Sequence, residues 1–222
     1  MAMTNQSPYK IGANSYDINT HNNKFSCYTD IMDTMHGQMQ AMLSHHNKVI
    51  VVRIDLHCEK YTPCNSELSR FMCKVRKRLY SHYKCTRFGY LWVREQERSK
   101  SQHYHVMLII DANKIQHPSA LLGWLQERWS VRGHPRPYVP KHCFYKSNRG
   151  DDEAFGEAFY RCSYLAKTRG KGYGSLGANN YSGSRVRFKR RVLNIRPTLL
   201  SFFNETDQHT CNRSLHITAV VS

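Results

Sequence analysis

The sequence predicts an α+β fold of the ferredoxin-like kind, an antiparallel sheet carrying helices on one face. Three observations predict it. Apolar β-branched runs and helix-period segments follow one another in the order βαββαβ and then a further helix; two of the strands are close enough to form a hairpin; and 222 residues give room for one core with little to spare.

Residues 1–24 are rich in Asn, Ser and Thr and poor in large aliphatics, and read as a loose arm. Over residues 26–46, Ile31, Met35, Met39 and Met42 recur at helical spacing and predict an amphipathic helix laid on the main body. Residues 48–57 are β-branched and apolar, the mark of a strand. Asn65 or Ser66 caps a helix whose apolar positions Leu68, Phe71, Met72, Val75 and Leu79 repeat every three or four residues. Residues 88–97 predict a second strand, residues 98–102 a polar turn, and residues 103–110 a third strand that completes the hairpin. Pro118 or Ser119 opens a helix through Trp129. Residues 136–145 are the expected fourth strand, although Pro137 and Pro140 interrupt it. Asp151, Asp152 and Glu153 start a last helix that reaches about Lys167, their charges suiting the helix dipole. A Gly-rich loop follows from Gly170 to Gly183, then a basic strand or tail facing DNA. The expected division is an arm and amphipathic helix over 1–47, a main domain over 48–196, and a tail of unknown role over 197–222.

Thirty-three Lys and Arg face sixteen Asp and Glu, a formal charge of +17 that repels itself unless a polyanion is the usual partner. Nucleic acid is therefore the expected partner. No apolar run approaches the roughly 18 residues that a bilayer span needs, and the N-terminal residues show no basic then apolar leader, so the expected location is the cytoplasm, with no membrane partner. Eight Cys are scattered without a C-x-x-C pair, which excludes a zinc-ribbon pattern and leaves reduced, mostly buried thiols as the expectation.

The chemistry begins at His103-Tyr104-His105. In a strand, residues two apart share a face, so both imidazoles can grip one divalent cation while Tyr104 enters the opposite side. Thirteen His in the chain make one such triplet expected by chance, so its neighbours carry the weight. The preceding strand ends in Glu95 and Glu97, and either carboxylate would complete a two-His, one-carboxylate set, with Glu95 preferred for its hairpin separation from His103. Mg²⁺ or Mn²⁺ suits such a set for phosphoryl transfer. Further along, Tyr160 and Tyr164 are four apart on the expected helix and Lys167 lies three beyond. A tyrosine can attack a phosphodiester and keep the bond energy in a phosphotyrosyl link, with a Lys beside it to assist deprotonation or balance charge.

The ordered set of Val51-Val52-Arg53-Ile54-Asp55-Leu56, Gly89 to Glu95, His103-Tyr104-His105-Val106 and Ser163-Tyr164-Leu165-Ala166-Lys167 resembles the HUH endonucleases, single-strand nicking enzymes with an RRM-like fold. It resembles most closely the YagK/YfjJ-type domain of inovirus-like phage and prophage replication proteins, over roughly residues 48–195. The resemblance implies an initiator of rolling-circle replication: it nicks one strand at an origin, stays attached to the 5′ phosphate, leaves a 3′ hydroxyl for a polymerase, and later rejoins the strand. It implies His103 and His105 as metal ligands, Tyr164 as nucleophile, Lys167 as its cationic helper, and Tyr160 as the second phenol of a two-tyrosine enzyme or as packing. No G-x-x-x-x-G-K-[ST] occurs, so helicase and polymerase would come from the host. Asp55 on the first strand reads as a surface or sheet-end carboxylate making a local hydrogen bond, with a place near the metal as the alternative.

DNA contacts are expected from Arg185, Arg187, Lys189, Arg190 and Arg191, with Lys74, Arg76, Lys77 and Arg78 on the first long helix. Tyr173, Tyr181 and Phe188 are the aromatics expected to stack on unpaired bases. Two other functions fit the same residues: a single-tyrosine HUH transposase or relaxase, and a DNA-binding regulator that does no chemistry.

Overall fold

The computed structural model describes residues 1–96, 101–171 and 178–189, which fall in one compact unit, Met1–Lys189. The architecture is α+β. A five-stranded antiparallel sheet has the spatial order β8-β5-β7-β6-β9, built from β5 (Lys48–His57), β6 (Gly89–Glu95), β7 (His103–Asp111), β8 (Phe144–Asn148) and β9 (Tyr181–Gly183). Four helices accompany it: α1 (Thr29–His45), α2 (Ser66–Ser81), α3 (Ser119–Ser130) and α4 (Asp152–Ser163).

The sheet is covered on both faces, not one. Alternation along β5 sends Ile50, Val52, Ile54 and Leu56 into a core with α2 and α3, and sends Val49 and Val51 into a second core with α1 and α4. The Met stripe Met35, Met39 and Met42 is fully buried in the second core. β5 and β7 are therefore apolar on both sides, as a central strand must be.

The expected loose arm is ordered. β1 (Met3–Thr4) pairs with β4 (Cys27–Tyr28), β2 (Tyr9–Ile11) pairs with β3 (Asn14–Tyr16), and Tyr16 and Ile18 are buried against Phe155 and Phe159 of α4. Two aromatic rings supply what the sparse aliphatics could not.

The fourth strand lies later than residues 136–145. Pro137 and Pro140 lack the N–H a ladder needs, so this stretch makes an isolated bridge from Tyr138 to Asp55 and one bond from Arg53 N to Cys143 O before β8 begins at Phe144. The last helix is shorter than expected: α4, capped by the Asp151 side chain accepting from Ala154 N at 3.0 Å, ends at Ser163, and a single 3₁₀ turn spans Tyr164–Ala166. The Ser163 hydroxyl donates to Tyr160 O at 2.7 Å, and the same hydroxyl accepts from Asn19 N at 2.8 Å, ties that favour a tightened end over another α-turn. Asn65 is the N-cap residue of α2, but its side chain is turned inward: Oδ1 accepts from Arg94 Nη1 at 3.2 Å and from Tyr104 Oη at 2.9 Å.

Seven Cys among the described residues are free thiols. No described helix is long and apolar enough to cross a membrane.

Candidate active site

Register builds the site before any side chain is considered. Glu95 on β6 stands opposite His103 on β7, and on the other side of β7 His105 stands opposite Asp55 and His103 opposite His57 of β5. The period of two then places Arg53, Asp55, Glu95, His103 and His105 on the face that Val51, Val93 and Met107 share with α1 and α4. Tyr104 goes to the opposite core as expected, fully buried.

Ligand atoms of Glu95, His103 and His105 all lie within 4.8 Å of one another. Glu95 Oε2 is 3.3 Å from His103 Nε2 and 3.1 Å from His105 Nε2. His105 is oriented from behind, its Nδ1 2.8 Å from Asp55 Oδ1, and Arg53 Nη2 donates to Asp55 Oδ2 at 3.0 Å. Asp55 thus makes a local bond to Arg53 near its strand's end, but it is buried and partners a site histidine, so it is not a surface carboxylate.

That relay tests whether a cation suits the site. With Nδ1–H given to Asp55, the lone pair of His105 falls on Nε2, a buried nitrogen that sits at ion-pair distance from Glu95 without the alignment of a hydrogen bond. A lone pair and a carboxylate oxygen facing each other need a positive charge between them, and a proton or a metal ion supplies it. A carboxylate behind a ligating imidazole is also the usual arrangement at metal centres. Glu95, His103 and His105 therefore fit a divalent cation.

Electrostatics agree. Burial pushes the Glu95 carboxyl up, but the facing His103 and His105 rings and the charge of Lys171 outweigh it and hold it well below the usual carboxylate range. Burial likewise opposes ionisation of Asp55, yet His105 and Arg53 keep it lowered. For His105 burial favours the neutral ring, and Asp55 and Glu95 reverse that, raising its pKa. Lys171, almost fully buried, donates to Glu95 Oε1 at 2.8 Å; burial lowers its pKa against the pull of that carboxylate.

Tyr164 reaches this cluster from the 3₁₀ turn. Lys167 Nζ donates to Tyr164 Oη at 2.6 Å and stands 3.7 Å from Glu95 Oε2. The Tyr164 ring meets the His105 ring edge-on, centroids 6.1 Å apart, and the Arg53 guanidinium lies 4.8 Å from its centroid. Gly170 holds the chain beside Glu95: its φ of +75° suits glycine, and its carbonyl accepts from Gln96 N at 2.8 Å.

The structure thus brings Glu95, His103, His105, Tyr164 and Lys167 together. Tyr160 is placed elsewhere. It remains on α4, 37% exposed, lining a cleft with Asp17, Asn22, Glu153 and Glu157, whereas Tyr164 lines a small cavity of about 100 Å³ with Arg53, Lys141 and Arg161. The two phenols, four residues apart, thus open onto different clefts. Arg185, Arg187 and Lys189 are exposed on the segment after β9, beside the end of α1. Glu97, Tyr173, Arg190, Arg191 and the tail over 197–222 lie outside the described residues.

Sequence reasoning missed Arg53 and Lys171, and gave Asp55 a place near the metal only as its second reading. Arg53 and Asp55 sit at period-two positions of one strand, a signal that needed only the knowledge that this strand borders the His strand. Lys171 is 76 positions from its partner and carries no local signal.

A family model, the YagK/YfjJ C-terminal domain, matches residues 12–182, a span that holds every residue of this site. The chain belongs to that family. The match begins well before residue 48 and takes in α1, as the burial of the Met stripe between α1 and the sheet requires. No curated protein and no solved structure shows significant similarity to the chain.

Proposed function

We propose that this member of the YagK/YfjJ family is a metal-dependent single-strand DNA nickase and strand transferase of the HUH type, an initiator of rolling-circle replication. The observation that carries the reading is a tyrosine hydroxyl held at 2.6 Å by a buried lysine that also borders a Glu/His/His cluster. The order of the core strands supports a ferredoxin-like core, since β8-β5-β7-β6 is fourth, first, third, second within the βαββαβ unit.

In this reading Tyr164 Oη attacks the scissile phosphorus as its proton is lost to solvent. The P–O3′ bond breaks, the 3′ oxygen takes up a proton, and the 5′ phosphate stays on the tyrosine. The Lys167 ammonium stabilises the phenolate, and His105 and Arg53 flank its ring. When bound by Glu95, His103 and His105, a divalent ion such as Mg²⁺ or Mn²⁺ supplies Lewis-acid withdrawal of charge from the phosphate. Attack by a 3′ hydroxyl on the phosphotyrosine reverses the step and rejoins the strand. The partner is single-stranded DNA at an origin, with helicase and polymerase supplied by the host. Because Tyr160 and Tyr164 open onto different clefts, the reading takes Tyr164 as the single nucleophile.

Capture of covalent protein–DNA adduct on a random single-stranded library with Mn²⁺ tests this. Adduct forms with the natural chain and with Tyr160→Phe, and is absent with Tyr164→Phe or a chelator. Tight binding without adduct would replace the nickase with a DNA-binding regulator, and loss of rejoining in Tyr160→Phe would restore the two-tyrosine scheme.

A further inference from the structure

A groove of about 710 Å³ lies at the end of the sheet away from the candidate active site. Its walls come from both faces of the sheet: Arg76 and Lys77 from α2, Arg87 from the approach to β6, and Arg185 and Arg187 from the segment after β9. All five are exposed, and no Asp or Glu is among the described lining residues. The segment is held by its backbone, with Val186 N donating to Gln38 Oε1 at 3.1 Å and Lys189 N to Ser44 Oγ at 2.9 Å, so its cationic side chains are left to solvent. Two aromatic rings stand in the same groove, Tyr80 at 64% and Phe188 at 60% exposure. Rings left in water beside clustered cations suit neither folding nor a small anion. They suit a polyanion that also carries flat apolar faces.

The geometry points to a second nucleic-acid site, in which this groove holds the backbone of single-stranded DNA while Tyr80 and Phe188 stack on its bases. The choice of DNA rests on the proposed nickase reading; the electrostatics and the rings do not. β6 runs from Gly89, at the groove, to Glu95, at the site, a span of roughly 20 Å for a strand of that length. The groove therefore grips the strand several nucleotides from the scissile phosphate. It would keep hold of the DNA on one side of a nick while Tyr164 keeps the other.

Fluorescence anisotropy with a labelled thymidine oligonucleotide, full-length chain and chelator present, reads binding without chemistry. Replacing Arg76, Arg87 and Arg187 together by Gln should weaken binding at low salt at least about tenfold and make the salt slope shallower by about two, at about 0.7 per lost phosphate contact. Phe188→Ala, which removes no charge, should weaken it roughly fivefold or more. Unchanged affinity and slope in the triple variant, or a duplex of matching length bound as tightly with Phe188→Ala silent, would overturn the inference. The adduct assay is separate: groove binding with no Tyr164 adduct keeps this site and removes the nickase, whereas adduct with a silent groove does the opposite.

Discussion

His105 shows how one side chain is set up as a candidate ligand. A strand places it beside His103, but Asp55 across the ladder decides which nitrogen carries the proton, and Glu95 across the other ladder decides what the free nitrogen faces. Replacing Asp55 by Asn removes the anionic acceptor while keeping the shape. Mn²⁺ affinity, followed by electron paramagnetic resonance titration, should fall by about 10- to 100-fold. An unchanged affinity would reduce Asp55 to a structural contact. The H-x-H pair and the tyrosine–lysine spacing were legible from sequence because each pair sits within one local period. Asp55 was read as peripheral because its meaning depends on the neighbouring strand.

At the scale of elements, the start of α2 is tied to the sheet by Asn65 more than it is capped by it. Arg94, at 2% exposure, and the buried Tyr104 hydroxyl both donate to its Oδ1. Asn65→Ala would strand a buried guanidinium nitrogen and a phenol together, at a cost of about 2 kcal/mol, read as a lower urea midpoint. A midpoint within error of the natural chain would mean that water replaces the amide. The same element scale explains two displaced boundaries. Prolines moved the fourth strand towards its C-terminal side, and the Ser163 hydroxyl's bonds accompany the end of α4 one residue before Tyr164. Periodicity marks the presence of an element well, but its ends are set by single hydrogen bonds that periodicity does not contain.

For the whole molecule, charge is the governing quantity. Sixteen acidic residues among thirty-three Lys and Arg make each ionised carboxylate count towards holding the fold. Glu67, in the first turn of α2, accepts from Arg132 Nε at 3.0 Å beyond α3 and is paired with Arg70. Hydrogen bonding by Arg132 lowers its pKa from 4.5 to about 2. A lowered acid stabilises the fold fully above its unfolded value, and that contribution is lost as pH falls from about 4.5 through about 2. Thermal unfolding of Glu67→Gln should therefore differ from the natural chain at neutral pH and converge with it near pH 2; a constant gap would show that the pair acts through packing alone. At this scale, too, the basic residues divide into sets: Arg76 and Lys77 line the groove, while Arg78 lies over the Trp124 ring, 5.6 Å from its centroid.

The sequence by itself determined the α+β class, the βαββαβ order, the first three sheet strands and three of the helices nearly to their ends, the His pair, and the cationic surplus, because alternation, helical period and charge are local quantities. Only the tertiary structure decided that the sheet is covered on both faces, that Tyr16 and Ile18 anchor the first twenty residues in the core with α4, that Asp55, Arg53 and Lys171 join the site, and that Tyr160 opens onto a different cleft from Tyr164. Each of these depends on which strands and helices become neighbours, and those contacts join residues that are far apart in the chain, where a local pattern carries no information.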